Sequence, residues 1–101
     1  MIALVITTVD SKSSAEKIAE ALLKDRLAAC VSMLPATSMY RRQGRLSKDD
    51  ENVLMIKTSE KKLNEMLRRL KEIHPYELPE ILILRVEASD EYQKRVEEST
   101  Q

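Results

Sequence analysis

Residues 2–6 read Ile-Ala-Leu-Val-Ile, so odd and even positions are apolar alike. In a strand, successive side chains point to opposite faces, and a segment greasy on both must be covered on both. Thr7, Thr8 and Asp10 bound the run and mark it as a short buried strand. The whole chain is 101 residues, one domain over positions 1–101. A domain of that size buries only roughly 60–70% of its unfolded surface. At ~25 cal/mol per Å2, hiding the second face of such a sheet against another copy contributes several kcal/mol to association.

The apolar period then changes to that of a helix. Ala15, Ile18, Ala19, Leu22 and Leu23 form one stripe, with Ser13 and Glu16 as a capping box, Asp10 as a rival N-cap, and an end near Arg26. Strand character returns over 27–34, is interrupted at Pro35, and resumes from Thr37 through Tyr40 to a turn at Gln43-Gly44. Gly44 is the only glycine and marks the position that needs positive φ. A polar return over 45–52 leads to a strand at 53–56. Ser59 caps a second helix with the stripe Leu63, Met66, Leu67, Leu70 and Ile73. Pro75 and Pro79 end it and stiffen a loop over 74–80; a last strand spans 81–86, and Ser89 caps a short helix carrying Tyr92 and Val96. The order β-α-β-β-α-β predicts an α+β fold: a ferredoxin-like antiparallel sheet with two helices on one face, plus a short C-terminal helix. The other face predicts a homo-oligomer packed sheet against sheet, with the hairpin around Gly44 reaching onto a neighbour.

Charge and composition remove several functions this fold can carry. Seventeen basic residues balance seventeen acidic ones, so no net field draws the chain to nucleic acid or an anionic membrane. A single cysteine forms no intrachain disulfide, which with the missing leader pattern points to a cytoplasmic protein. The first and third strands hold no aromatic residue on which RNA bases could stack. The loop after the first strand has neither the C-x-x-C thiol pair of a copper chaperone nor the glycine-rich, arginine-bearing cradle of an acylphosphatase. No nucleophile–base pair is apparent, and one histidine offers little acid–base chemistry, so the chain reads as no enzyme.

Four patches remain. Cys30 is either a core thiol or a site residue; His74, Tyr76 and Glu77 share a stiff loop with the only imidazole in the chain. Arg41, Arg42 and Arg45 face Asp49, Asp50 and Glu51 across the hairpin, as cross-strand pairs on a solvated arm or as a basic rim. Lys57 follows four apolar residues, as a strand-end charge or as a side chain in a cleft between subunits.

Together these patches resemble the CutA family of divalent-cation tolerance proteins, over essentially the whole chain. The carriers are Arg26-Leu27-Ala28-Ala29-Cys30-Val31, the Tyr40 to Gly44 hairpin, Ile56-Lys57-Thr58, and His74-Pro75-Tyr76-Glu77-Leu78-Pro79-Glu80. The resemblance implies a homotrimer built by edge-strand pairing, related in architecture to the PII signalling proteins, with a role in tolerance of copper and other divalent metals. It implies a cleft between subunits in which His74 is the metal donor and Glu77 an oxygen donor or a partner holding the ligand in place, with Cys30, Tyr40, Lys57 and Tyr76 nearby. Arg42 and Arg95 stand where many members carry Trp, and Thr7 and Ile73 where some carry Cys and His. With a single imidazole left, the expectation is weak binding of copper or another divalent cation, and no organic cofactor. Two other readings stay open: a PII-like regulatory trimer holding an anionic metabolite, and a structural trimeric scaffold.

Overall fold

In the computed structural model, which describes residues 1–101, the apolar run sits inside a four-stranded sheet. Along the chain come β1 (Ile2–Val9), α1 (Lys12–Lys24), β2 (Cys30–Arg42), β3 (Arg45–Thr58), α2 (Leu63–Ile73), β4 (Leu82–Val86) and α3 (Asp90–Ser99). The strands lie in the order β2-β3-β1-β4, each pair antiparallel. This is the ferredoxin-like α+β arrangement expected from the element order.

β1 divides its side chains between two environments. Ala3, Val5, Thr7 and Val9 are fully buried, and the core they enter includes Ile18 and Leu22 of α1 and Met66 and Leu70 of α2. Ile2, Leu4, Ile6 and Thr8 alternate onto the opposite face. Register places Cys30, Lys57, Leu4 and Leu84 in one row across that face, and Ser32, Met55, Ile6 and Leu82 in the next. Leu82 is 50% exposed and Leu84 41%, so one chain leaves these rows in water. The exposure is smaller than the sequence suggested, because Ile2 is only 3% exposed. α3 touches β3, buries Val96 completely and sets Tyr92 beside the Cys30 thiol, sheltering that end of the face.

The local signals differ in instructive ways. Ser11, not Ser13 or Asp10, caps α1, accepting the Ser14 N–H at 3.1 Å. The helix stops at Lys24, and Arg26 turns left-handed with φ 58°. Leu27 N–H bonds the Leu22 carbonyl and Arg26 N–H that of Leu23, the paired bonds of a Schellman ending that usually takes glycine. Ser59 is extended ahead of a single 3₁₀ turn, Glu60–Lys62, without capping it; its hydroxyl accepts that of Thr100 at 2.9 Å.

β2 does not break at Pro35. It is an edge strand, where a missing N–H need not interrupt a ladder on both sides, and Pro35 stays in register with Asn52. The polar return belongs to β3, which runs unbroken for 14 residues. Because β1 ends its pairing at Val9 with Asn52, the chain beyond it projects as a two-stranded arm, and the molecule is 45 Å long. Gln43 and Gly44, with φ of 52° and 76°, make the two-residue turn at its tip. The expected pairing of arm charges does not form. Arg41 lies opposite Leu46 and Arg42 opposite Arg45, while Asp49 and Asp50 face Ser38 and Thr37.

Candidate functional site

A residue before proline avoids helical backbone, so α2 ends at His74, which is extended at φ −69° and ψ 133°. The turn carries the imidazole inward, leaving it 8% exposed. Its Nδ1 accepts the Tyr76 N–H at 3.1 Å, which places the ring proton on Nε2. Nε2 lies 3.0 Å from Thr7 Oγ1 and donates to it, while the Thr7 hydroxyl donates to the Glu80 carbonyl at 2.6 Å. Burial lowers the His74 pKa below its ordinary value, against the opposing pull of the Thr8 backbone and Asp10. The Tyr76 ring tilts over the imidazole at 5.1 Å and donates its hydroxyl to Glu51 Oε2 at 3.1 Å. Burial first, then the bond to Glu51 and its charge, push the Tyr76 phenol up to about 12. One cluster thus ties β1, β3, the end of α2 and the loop before β4.

For a metal this arrangement is closed. Neither imidazole nitrogen offers a free lone pair, Glu77 is exposed without a side-chain hydrogen bond or ion pair, and no three of the His, Cys, Asp and Glu side chains converge. The donors of one chain do not fit a complete divalent-cation site.

A second cluster lies on the open sheet face. Lys57 Nζ donates to Ser32 Oγ at 2.6 Å and reaches Cys30 Sγ at 3.9 Å. Cys30 is a half-buried free thiol. Burial, chiefly, and the adjacent Cys30 raise the Tyr92 phenol above its ordinary value, while Arg95 opposes them.

The residues expected in one cleft are therefore dispersed within a chain. His74 and Tyr76 meet Thr7 on the helix-covered side, whereas Cys30 and Lys57 share a row with Leu4 on the other face. Tyr40 stands on the arm, bonded to Asp49, roughly 30 Å along β2 from Cys30 at about 3.3 Å per residue. Thr7, Ser32, Glu51 and Tyr92 complete the two clusters and were not singled out as site residues. Thr7 carried a signal: it continues the parity of Ala3 and Val5, so its hydroxyl had to enter the core.

Comparison with known proteins places this geometry among relatives. The family model described as CutA1 divalent ion tolerance protein matches residues 3–99. The divalent-cation tolerance protein CutA of Thermus thermophilus is 42% identical over 98 residues, 95% of each chain. The solved CutA from Synechococcus elongatus superposes with a TM-score of 0.96 at 35% identity, covering 99% of this chain and 90% of that one. A CutA from Archaeoglobus fulgidus, described as periplasmic, superposes with a TM-score of 0.94 at 29% identity over the full length of both. No helix here is long and apolar enough to cross a membrane.

Proposed function

Because the chain belongs to the CutA1 divalent ion tolerance family, we propose that it works as a cytoplasmic homotrimer, catalysing no reaction, that binds divalent cations weakly at its subunit seams. Copper is the leading cation. The observation that carries the assembly is the open sheet face, where Leu82 and Leu84 stand partly in water beside Ile6 and Leu4 and a second copy would cover them, whereas His74 lies on the helix-covered side. Weak binding follows from the donors. A cation at His74 must first displace the Tyr76 N–H from Nδ1, at a cost of about 0.5–1.5 kcal/mol, and must draw further ligands from Glu77 or a neighbouring copy.

Sedimentation equilibrium together with Cu(II) calorimetry tests both halves. A trimer with weak, saturable Cu(II) binding that His74→Ala diminishes supports the proposal. Identical affinities in the two proteins remove His74 from it, and a single chain at micromolar concentration removes the seam.

A second reading, a PII-like regulatory trimer that holds an anionic metabolite, is favoured by Lys57. Its ammonium has only neutral partners, with no carboxylate within 4.0 Å. Stabilisation by nucleotides without metal, read by thermal shift, supports it.

A further inference from the structure

Lys57 stands apart from the other cations of the chain by its position. It is half-buried in the row Cys30, Lys57, Leu4, Leu84, on the face that association covers. An ammonium taken from water without a counter-charge is costly, and a neutral hydroxyl offsets only part of that cost. The immediate partners are a hydroxyl and a thiol, Ser32 and Cys30. The Tyr92 phenol of α3 lies beside the same thiol, with Arg95 near it.

The balance of donors and acceptors points the same way. Lysine has three N–H donors, of which one meets Ser32 and a second the weakly accepting sulfur. The Ser32 hydroxyl accepts from Lys57 and keeps its own proton for another acceptor. The cluster is therefore rich in donors and positive charge, and it lacks an acceptor oxygen with negative charge.

We propose that Lys57 and Ser32 form a binding site for a small oxyanion, the phosphate or carboxylate group of a metabolite, where a second copy closes over the open sheet face. The proposal rests on the trimer reading above and deepens its regulatory form. A charge-assisted bond from Lys57 supplies most of the attraction, and the Ser32 hydroxyl orients the oxygens.

The test titrates the wild-type assembly with inorganic phosphate and, separately, acetate at constant ionic strength set by chloride. Calorimetry and thermal unfolding report binding, and sedimentation reports mass. Saturable binding is expected, lost in Lys57→Met, kept in Lys57→Arg, reduced severalfold in Ser32→Ala and unchanged in Lys24→Met. Either order of preference supports the site and identifies the oxyanion it favours. A wild-type trimer without saturable anion binding overturns the proposal, as does equal binding by Lys57→Met. A trimer that Lys57→Met weakens, with no anion effect in the wild type, assigns the counter-charge to a neighbour's carboxylate and also overturns it. A wild-type monomer defeats the trimer reading itself, a result distinct from all of these.

Discussion

Thr7 and His74 are 67 positions apart in the chain, yet Thr7 Oγ1 and His74 Nε2 meet at 3.0 Å inside the protein. The hydroxyl is fully buried and accepts from the ring, and it passes its own proton to the Glu80 carbonyl. Thr7→Val keeps the shape and leaves both the Nε2 proton and the Glu80 carbonyl without this partner. A loss of about 1–3 kcal/mol follows. Thr7→Ser, which restores the oxygen, recovers most of it. Urea unfolding of the two variants at one protein concentration checks the order.

The same ring gives stability a dependence on acid. His74 has its pKa lowered by burial, so the unfolded chain, at about 6.5, binds the proton more readily than the folded one. The contribution of the neutral ring is complete above the unfolded value and is lost as pH falls through the depressed folded value. Urea midpoints should therefore drop from about pH 7 to about pH 5, before most carboxylates titrate. His74→Gln should flatten that slope while lowering the plateau. A wild-type slope retained in the variant would assign the effect to another group.

Tyr76 behaves in the opposite sense. Its phenol is raised to about 12, so the folded state holds the proton more tightly than the unfolded one. Its contribution is complete below the ordinary tyrosine value of about 10 and is lost as pH rises from there through 12. An ultraviolet tyrosinate titration should show a late component that disappears in Tyr76→Phe. The same variant should cost about 1 kcal/mol near neutral pH, because the bond to Glu51 is only partly shielded from water.

These partners mark how far sequence reading reaches. Both long helices were legible because Leu22 repeats Ile18, and Leu70 repeats Met66, within a turn or so of the same chain. Lys57 and Cys30 were visible as residues, but their meeting depends on the register of β2 with β3. Pro35 was misread for a related reason: whether a strand tolerates proline depends on its lying at an edge, a property of the whole sheet. The arm charges failed likewise, since pairing outward from Gln43-Gly44 sets Arg42 against Arg45 and not against an acid. The stiffness of the His74 loop was evident from its prolines, and the parity of β1 sends the Thr7 hydroxyl inward, whereas the meeting of the two, 67 positions apart, was not evident.

Arg26 offers a gain of stability. Its φ of 58° at the end of α1 is a conformation that costs an L-residue about 1–2 kcal/mol, and its side chain is exposed. Glycine removes that strain but adds freedom to the unfolded chain. Arg26→Gly should therefore stabilise the protein by a net of about 0.5–1 kcal/mol, seen as a higher urea midpoint with an unchanged slope.

The open face yields the sharpest separation between folding and assembly. Leu82, on the edge strand β4, pairs with Ile6 on that face, and half of its surface is in water in one chain. Replacing it by glutamate removes little from the chain's own core, so Leu82→Glu should retain the secondary structure and most of the thermal stability of a single chain. In an assembly the same carboxylate would be buried against a sister sheet without a partner, at a cost of several kcal/mol. Each 1.4 kcal/mol is tenfold in the association constant, so sedimentation of the variant should show separate chains at concentrations where the wild type is assembled. A comparably exposed position on α1, Leu23 at 41%, lies away from these rows, so Leu23→Glu separates loss of this face from a general effect of added charge. If Leu82→Glu remains fully assembled while circular dichroism shows it folded, the sheet face is not what joins the copies.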